Sequence, residues 1–252
     1  MTSTPTAITE RLTLYDISWE GYETLLNVLG DRPVRTTYSQ GVVELMILSY
    51  QHERYKKLLA RFVETLTEEL NIPIAGGGST TFKRQDLERG LEPDECFYIE
   101  HEPAVRGKQA IDLAQDPPPD LAIEIDMTSS SLNRMAIYAA LGIPEVWRFD
   151  GTTLEFFERQ GEHYERLTHS ATFPMIQPSD LTQFIALAET TDDTSVVRQF
   201  RNWVRQRMGS SFRNGEITRP GQVEEKVLPS GVYARGAAHT REAALFGSES
   251  TL

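Results

Sequence analysis

The segment that most restricts the fold is Leu121-Ala122-Ile123-Glu124-Ile125, a nearly continuous apolar run that follows three prolines at 117–119 and Asp120. A run this short and this apolar suits a β-strand covered on both faces, the kind found in sheets with helices on each side. From Ser129 to Leu141 the pattern turns helical and stops at Gly142, and Glu145 to Phe149 then reads as another strand closed by Asp150-Gly151. Strand, helix, strand predicts a βαβ crossover with parallel neighbours. Glu124 is the anomaly in that buried strand, because a carboxylate among apolar neighbours needs a partner, a proton or a cation.

The longest periodic segment runs from Tyr50 to Leu70. Tyr55, Leu58, Leu59, Phe62, Val63, Leu66 and Leu70 form one apolar stripe and charged residues fill the rest, which predicts an amphipathic helix. A shorter helix is expected behind Ser18, from Trp19 to Leu29, with Ser18 as its N-cap. Val34 to Leu48 carries two β-rich runs broken at Ser39-Gln40-Gly41, hence a hairpin. Gly76-Gly77-Gly78 reads as a turn, since it lacks the lysine and hydroxyl residue of a phosphate loop. Extended pieces are expected at 72–74 and 79–82, a polar loop at 84–93 and a strand from Asp94 through Ile99. Leu154–Arg159 and His163–Leu167 suggest a further hairpin, and Thr194–Met208 a last amphipathic helix.

At 252 residues with 39% hydrophobic content, a folded core is expected over 1–208. Residues 209–252 lose periodicity and are rich in Gly, Ser and charge, so a mostly disordered tail is expected there. The single cysteine, Cys96, excludes an internal disulfide and any Cys-rich zinc site. Together with an N-terminus lacking a basic and an apolar region, and no run long enough to span a bilayer, this points to the cytoplasm and away from membranes. The net charge of −12 repels polyanions unless basic residues gather on one face. Arg198, Arg201 and Arg205 align on the last helix, as a DNA-contacting row or as an ordinary solvated face.

Four carboxylates at strand starts or within strands stand out: Glu44, Asp94, Asp120 and Glu124. Asp120 and Glu124 share a strand face, yet four residues separate their backbones by roughly 13 Å, too far to hold one ion together. Asp94, which opens the preceding strand, is the better partner for Glu124 if the two strands pair, with Asp120 in a supporting place. Oxygen-only ligands favour a hard cation, Mg²⁺ or Mn²⁺. Against the metal reading stands a structural ion pair between Glu124 and an arginine such as Arg134 or Arg148.

Four motifs in order, Ser-Thr-Thr-Phe-Lys-Arg (79–84), Glu-Pro-Asp-Glu-Cys-Phe-Tyr-Ile (92–99), Pro-Pro-Asp-Leu-Ala-Ile-Glu-Ile (118–125) and the stretch 129–148 ending Pro-Glu-Val-Trp-Arg, carry a family likeness. From Trp19 to Met208 the chain resembles the Uma-type family of restriction endonucleases, within the PD-(D/E)XK nuclease superfamily. The resemblance implies an α/β, restriction-endonuclease-like fold, a central mixed β-sheet flanked by α-helices. It also implies that Asp94, Asp120 and Glu124 match acidic metal-binding positions and that Glu44 and His52 lie near the site. For His52 a helix-terminal polar residue facing water is the competing reading.

The superfamily usually carries a lysine two residues after Glu124, where this chain has Asp126. In Uma-type proteins it stands on the following helix, four residues before the tyrosine matched by Tyr138, and that position here is Arg134. Arginine keeps the charge and can fork onto a phosphate, but it does not readily release a proton. Lys83 is a further basic candidate. The resemblance therefore implies a Mg²⁺-dependent DNA endonuclease, as a monomer or a homodimer suited to cutting two strands. The alternatives are a catalytically weakened module that binds nucleic acid or a partner, and a purely structural acidic protein.

Overall fold

The computed structural model describes residues 10–214 apart from 31, 128 and 129, all within one structural unit. The chain opens with β1 (Glu10–Leu14), α1 (Trp19–Leu29), β2 (Val34–Ser39) and β3 (Val42–Ile47). The Ser18 hydroxyl accepts from the Gly21 amide at 3.2 Å and starts α1. Gln40 and Gly41, both at positive φ, make the two-residue turn of the β2–β3 hairpin, whose twist such turns match. Then come α2 (Tyr50–Leu70), β4 (Ala75–Gly76), β5 (Phe82–Arg84) and β6 (Arg89–Leu91). The first sheet is antiparallel, in the order β1-β3-β2-β6-β5, and α1 covers one of its faces through Tyr22, stacked on Tyr38.

The second half supplies β7 (Glu95–Tyr98), α3 (Glu102–Val105), β8 (Leu121–Ile125), α4 (Arg134–Leu141), β9 (Glu145–Phe149), β10 (Leu154–Gln160), β11 (His163–Leu167), α5 (Pro178–Leu187) and α6 (Asp193–Asn214). Its sheet is mixed, ordered β11-β10-β9-β8-β7-β4, with β8 and β9 parallel and α4 as the crossover between them. Alternation along β8 divides the core. Leu121, Ile123 and Ile125 pack with α2, α5 and α6 in the large apolar cluster, whereas Ala122 packs with Ile137, Tyr138 and Leu141 of α4. Glu124 therefore points toward α4. All five residues of β8 are buried, as the apolar run requires.

The structure corrects the sequence reading in several places. The helix expected from Ser129 starts at Arg134, because Asn133 caps it by accepting from the Ala136 amide. Ser129 lies outside the described residues. The loop expected at 84–93 contains β6, which pairs with both β2 and β5 and so builds a second sheet beside the mixed one. Strand β1 and helix α5 were not anticipated. In the first the more buried alternate positions are Arg11 and Thr13 while Leu12 is exposed, so no apolar alternation marks the strand, and the second begins at Pro178 with the Asp180 carboxylate accepting from the Gln177 amide at 2.9 Å. Helix α6 continues past Met208 to Asn214, into the span expected to be tail, and the remainder of that tail lies outside the described residues.

On the α2 side the core depends on aromatic contacts. Phe62 is fully buried and meets Phe200 at a ring separation of 4.6 Å and Phe184 at 6.2 Å. Phe62→Ala is expected to destabilise the protein by about 3–5 kcal/mol, from lost burial plus the residual cavity, as measured by urea unfolding.

Candidate active site

Strand β7 runs antiparallel to β8 with Glu95 opposite Ile123, and continuing that register by one residue sets Asp94 opposite Glu124. Side chains opposite one another share a face, so two buried carboxylates meet at the end of the β7–β8 ladder. The Asp94 Oδ2 accepts from the Ile125 amide at 2.7 Å, and His52 Nε2, from the first turn of α2, lies 3.2 Å away. Ser49 caps α2 by accepting from the His52 amide, which fixes that turn. Asp94 Oδ1 is buried without a hydrogen-bond partner.

Glu124 is held from α4. Arg134 Nε lies 2.5 Å from its Oε1, Arg134 Nη2 donates to Oε2 at 2.9 Å, and the Tyr138 hydroxyl donates to Oε2 at 2.6 Å. The same guanidinium donates to the Thr37 hydroxyl of β2 and to the Glu92 carbonyl, so it joins the two sheets. Arg134 is 7% exposed. Its fork is engaged by protein oxygens, unlike the phosphate-contacting arginine imagined from the sequence. The alternative of a buried Glu124–Arg134 ion pair is what the structure contains.

Burial pushes the Glu124 carboxyl above its ordinary range; Arg134 opposes this, and the Asp94 charge adds to it. Burial also pushes Asp94 up, but His52 and Arg134 outweigh it and hold Asp94 below the usual carboxylate range. Burial lowers the His52 pKa, and Asp94, with Glu124 and Glu53, more than reverses that and leaves it above its ordinary value. His52 is buried, which removes the reading of a polar residue facing water.

Glu44, on β3 opposite Thr37, accepts from four donors: Arg11 Nη1, Ser130 Oγ, the Ser131 amide and Ser131 Oγ, at 2.7–2.9 Å. It ties the segment between β8 and α4 to the first sheet. Burial raises its pKa, and these hydrogen bonds with the Arg11 charge more than offset that, leaving it below the usual range. Asp126 stands on the same face as Glu124, near Arg11 at 3.8 Å, with its carboxyl raised by burial.

Other candidates lie elsewhere. Asp120 is at the opposite end of β8, where its carboxylate accepts from the Ile99 and His101 amides and contacts the His101 ring. It therefore shapes the turn after β7, and as a metal ligand beside Glu124 it is set aside. Lys83 pairs with Glu23 of α1 at 2.5 Å, and Arg201 and Arg205 pair with Glu68 and Glu69 of α2, so they do not form a bare basic row. Cys96 is buried among apolar residues. Sequence reasoning missed Thr37 and Glu92, whose roles arise from contacts 97 and 42 residues away from Arg134. It also missed Glu145, a buried carboxylate satisfied by Trp147 Nε1 and the Ala171 and Thr172 amides; its place in an apolar strand was the available signal.

A mixed sheet with helices on both faces, and paired acidic residues at adjacent strand ends, define a restriction-endonuclease-like α/β protein. A family model described as "Uma2: Putative restriction endonuclease" matches residues 19–190, well over half of the chain, and the chain belongs to that family. No curated protein matches it. Restriction-endonuclease-like families generally use divalent metals. Among the described residues no group of three or more His, Cys, Asp or Glu is gathered to hold an ion. Magnesium, however, commonly binds through one or two carboxylates with water and substrate phosphate completing its shell. Asp94, with one buried oxygen lacking a hydrogen bond, and Glu124 opposite it fit that donor chemistry.

Two measurements probe this network. Arg134→Met leaves Glu124 unpaired in the core and is expected to cost about 3–5 kcal/mol, most of it recovered when Glu124→Leu is added. Equal losses in the single and double variants, by urea unfolding, would contradict the pairing. Glu44 sits below its ordinary pKa in the folded chain, so its stabilisation is complete above its unfolded value and fades as pH falls through the folded one. Glu44→Gln is therefore expected to be less stable at neutral pH, with the gap to wild type closing below about pH 4 in melts across a pH series.

Proposed function

We propose that the chain is a divalent-metal-dependent endonuclease that hydrolyses phosphodiester bonds in DNA. The observation that carries this reading is the buried Asp94–Glu124 pair, in which Asp94 Oδ1 has no hydrogen bond. Asp94 and Glu124 would hold Mg²⁺ or Mn²⁺. The ion supplies Lewis-acid stabilisation of phosphoryl charge and a nucleophile at neutral pH. His52 keeps Asp94 ionised, and Tyr138 with Arg134 fixes the rotamer of Glu124. Glu44 positions residues 130 and 131, which lead into α4. Cutting both strands of a duplex calls for two such sites, which a homodimer would supply. The buried lone thiol supports a reducing, cytoplasmic setting.

A second reading has its own support. Arg134 already neutralises Glu124 at 2.5 Å and cannot readily serve as a proton acceptor, which favours a weakened relative that binds nucleic acid without turnover. Incubation of the purified protein with plasmid and single-stranded DNA, in Mg²⁺ or Mn²⁺, separates the two. Cleavage that is abolished in Glu124→Gln and by chelation is expected. Cleavage that survives in Glu124→Gln, or DNA retention with no cleavage in any metal, would sink the nuclease reading.

A further inference from the structure

The site described above leaves a question of charge. Two carboxylates cancel the charge of one divalent ion, so an approaching phosphodiester gains from a further cation on the solvent side, and the Arg134 fork is engaged by Glu124, Thr37 and the Glu92 carbonyl. Another cation stands in the register of the sheet. Arg148 of β9 is the parallel-strand neighbour of Glu124, so both side chains leave the sheet on the same face. A cavity of about 240 Å³ opens there, lined by Glu124, Asp126, Ser130, Asn133, Arg134 and Arg148 among others.

We propose that this cavity is an anion subsite, in which Arg148 contacts a phosphate of a nucleic-acid strand lying across the end of β8. The proposal deepens the nuclease reading and rests on it for the identity of the anion.

Three features prepare Arg148 for the task. Its side chain is 35% exposed, which allows a ligand to reach it while one side stays fixed. The guanidinium stacks over the Phe157 ring at 5.0 Å and donates to Glu155 at 2.7 Å, which restrains its direction. Glu155 is also paired with Arg166 at 3.1 Å, so its charge stays compensated when Arg148 turns toward a ligand. Two carboxylates face the same cavity. Glu124 is paired with Arg134, and Asp126 lies 3.8 Å from Arg11 and feels the charges of Arg11 and Arg148, so the entrance is not a bare acidic surface despite the net charge of −12.

The test uses a short fluorescein-labelled DNA duplex in EDTA, read by anisotropy over a salt series, with thermal melts in inorganic phosphate alongside. Arg148→Gln is expected to weaken duplex binding about tenfold, the size of one charge-assisted contact. It is also expected to lower the slope of log affinity against log salt by about one, because one phosphate contact is lost. Arg148→Lys, which keeps the charge, should hold the wild-type slope, and melts without phosphate check that both variants fold. Unchanged affinity and slope in Arg148→Gln would overturn the subsite and leave the nuclease reading standing. Should wild-type protein bind no duplex, the nucleic-acid reading fails. The subsite then stands if phosphate raises the melting temperature of wild type but not of Arg148→Gln, and falls if phosphate raises neither or both.

Discussion

One ion pair holds the candidate site in register. Arg134, from the first turn of α4, meets Glu124 of the mixed sheet on one side and Thr37 and the Glu92 carbonyl of the antiparallel sheet on the other. A charge pair buried this deeply is not a general source of stability, since desolvation offsets much of the attraction. Its value lies in geometry. The planar fork accepts few arrangements, so satisfying it fixes the distance between two sheets whose apolar clusters would tolerate small shifts.

Around that pair each buried carboxylate has a distinct solution. Glu44 has four donors and is lowered below its usual range; Asp94 has one strand amide and an imidazole; Glu124 has an arginine and a phenol. The result is a graded site in which acidity is set by what each group touches. The two carboxyls are pushed in opposite directions, Asp94 below its ordinary range by His52 and Arg134 and Glu124 above it by burial. Such separation of two neighbouring carboxyls is common where acidic residues carry chemistry, though structural ion pairs also produce it.

Elements with a strong period were legible in the sequence. Helix α2 spans Tyr50–Leu70 as its apolar stripe indicates, and the Gln40-Gly41 turn was marked by Gly41, which tolerates positive φ. Short pieces were not. Strand β6 has three residues, one of them Gly90, and its identity depends on pairing with β2 more than fifty residues earlier. The site divides the same way. The Asp94–Glu124 neighbourhood was readable because carboxylates stood in or beside apolar strands, and the choice between a metal-facing and an arginine-paired Glu124 was open. Thr37, Glu92 and Ser131 carried no local signal, since ordinary hydroxyl and carboxyl residues acquire their roles only when distant strands meet. The strand spacing already separated Asp120 from Glu124, and what carried no local signal was its bonding to the Ile99 and His101 amides.

The contacts of Arg134 differ greatly in the length of chain they enclose. Ten residues separate it from Glu124, and 97 separate it from Thr37. By loop-closure entropy alone the longer ring is harder to close by about 2 kcal/mol. The β8–α4 unit encloses its half of the pair within that short ring, the Tyr138 bond to Glu124 included. Thr37 and Glu44 come from the antiparallel sheet and the Glu92 carbonyl from the residue after β6, so the rest of the cage rests on contacts distant in sequence. A chain deprived of its first sheet would keep Asp94 and Glu124 but lose Thr37 and Glu44 from around them.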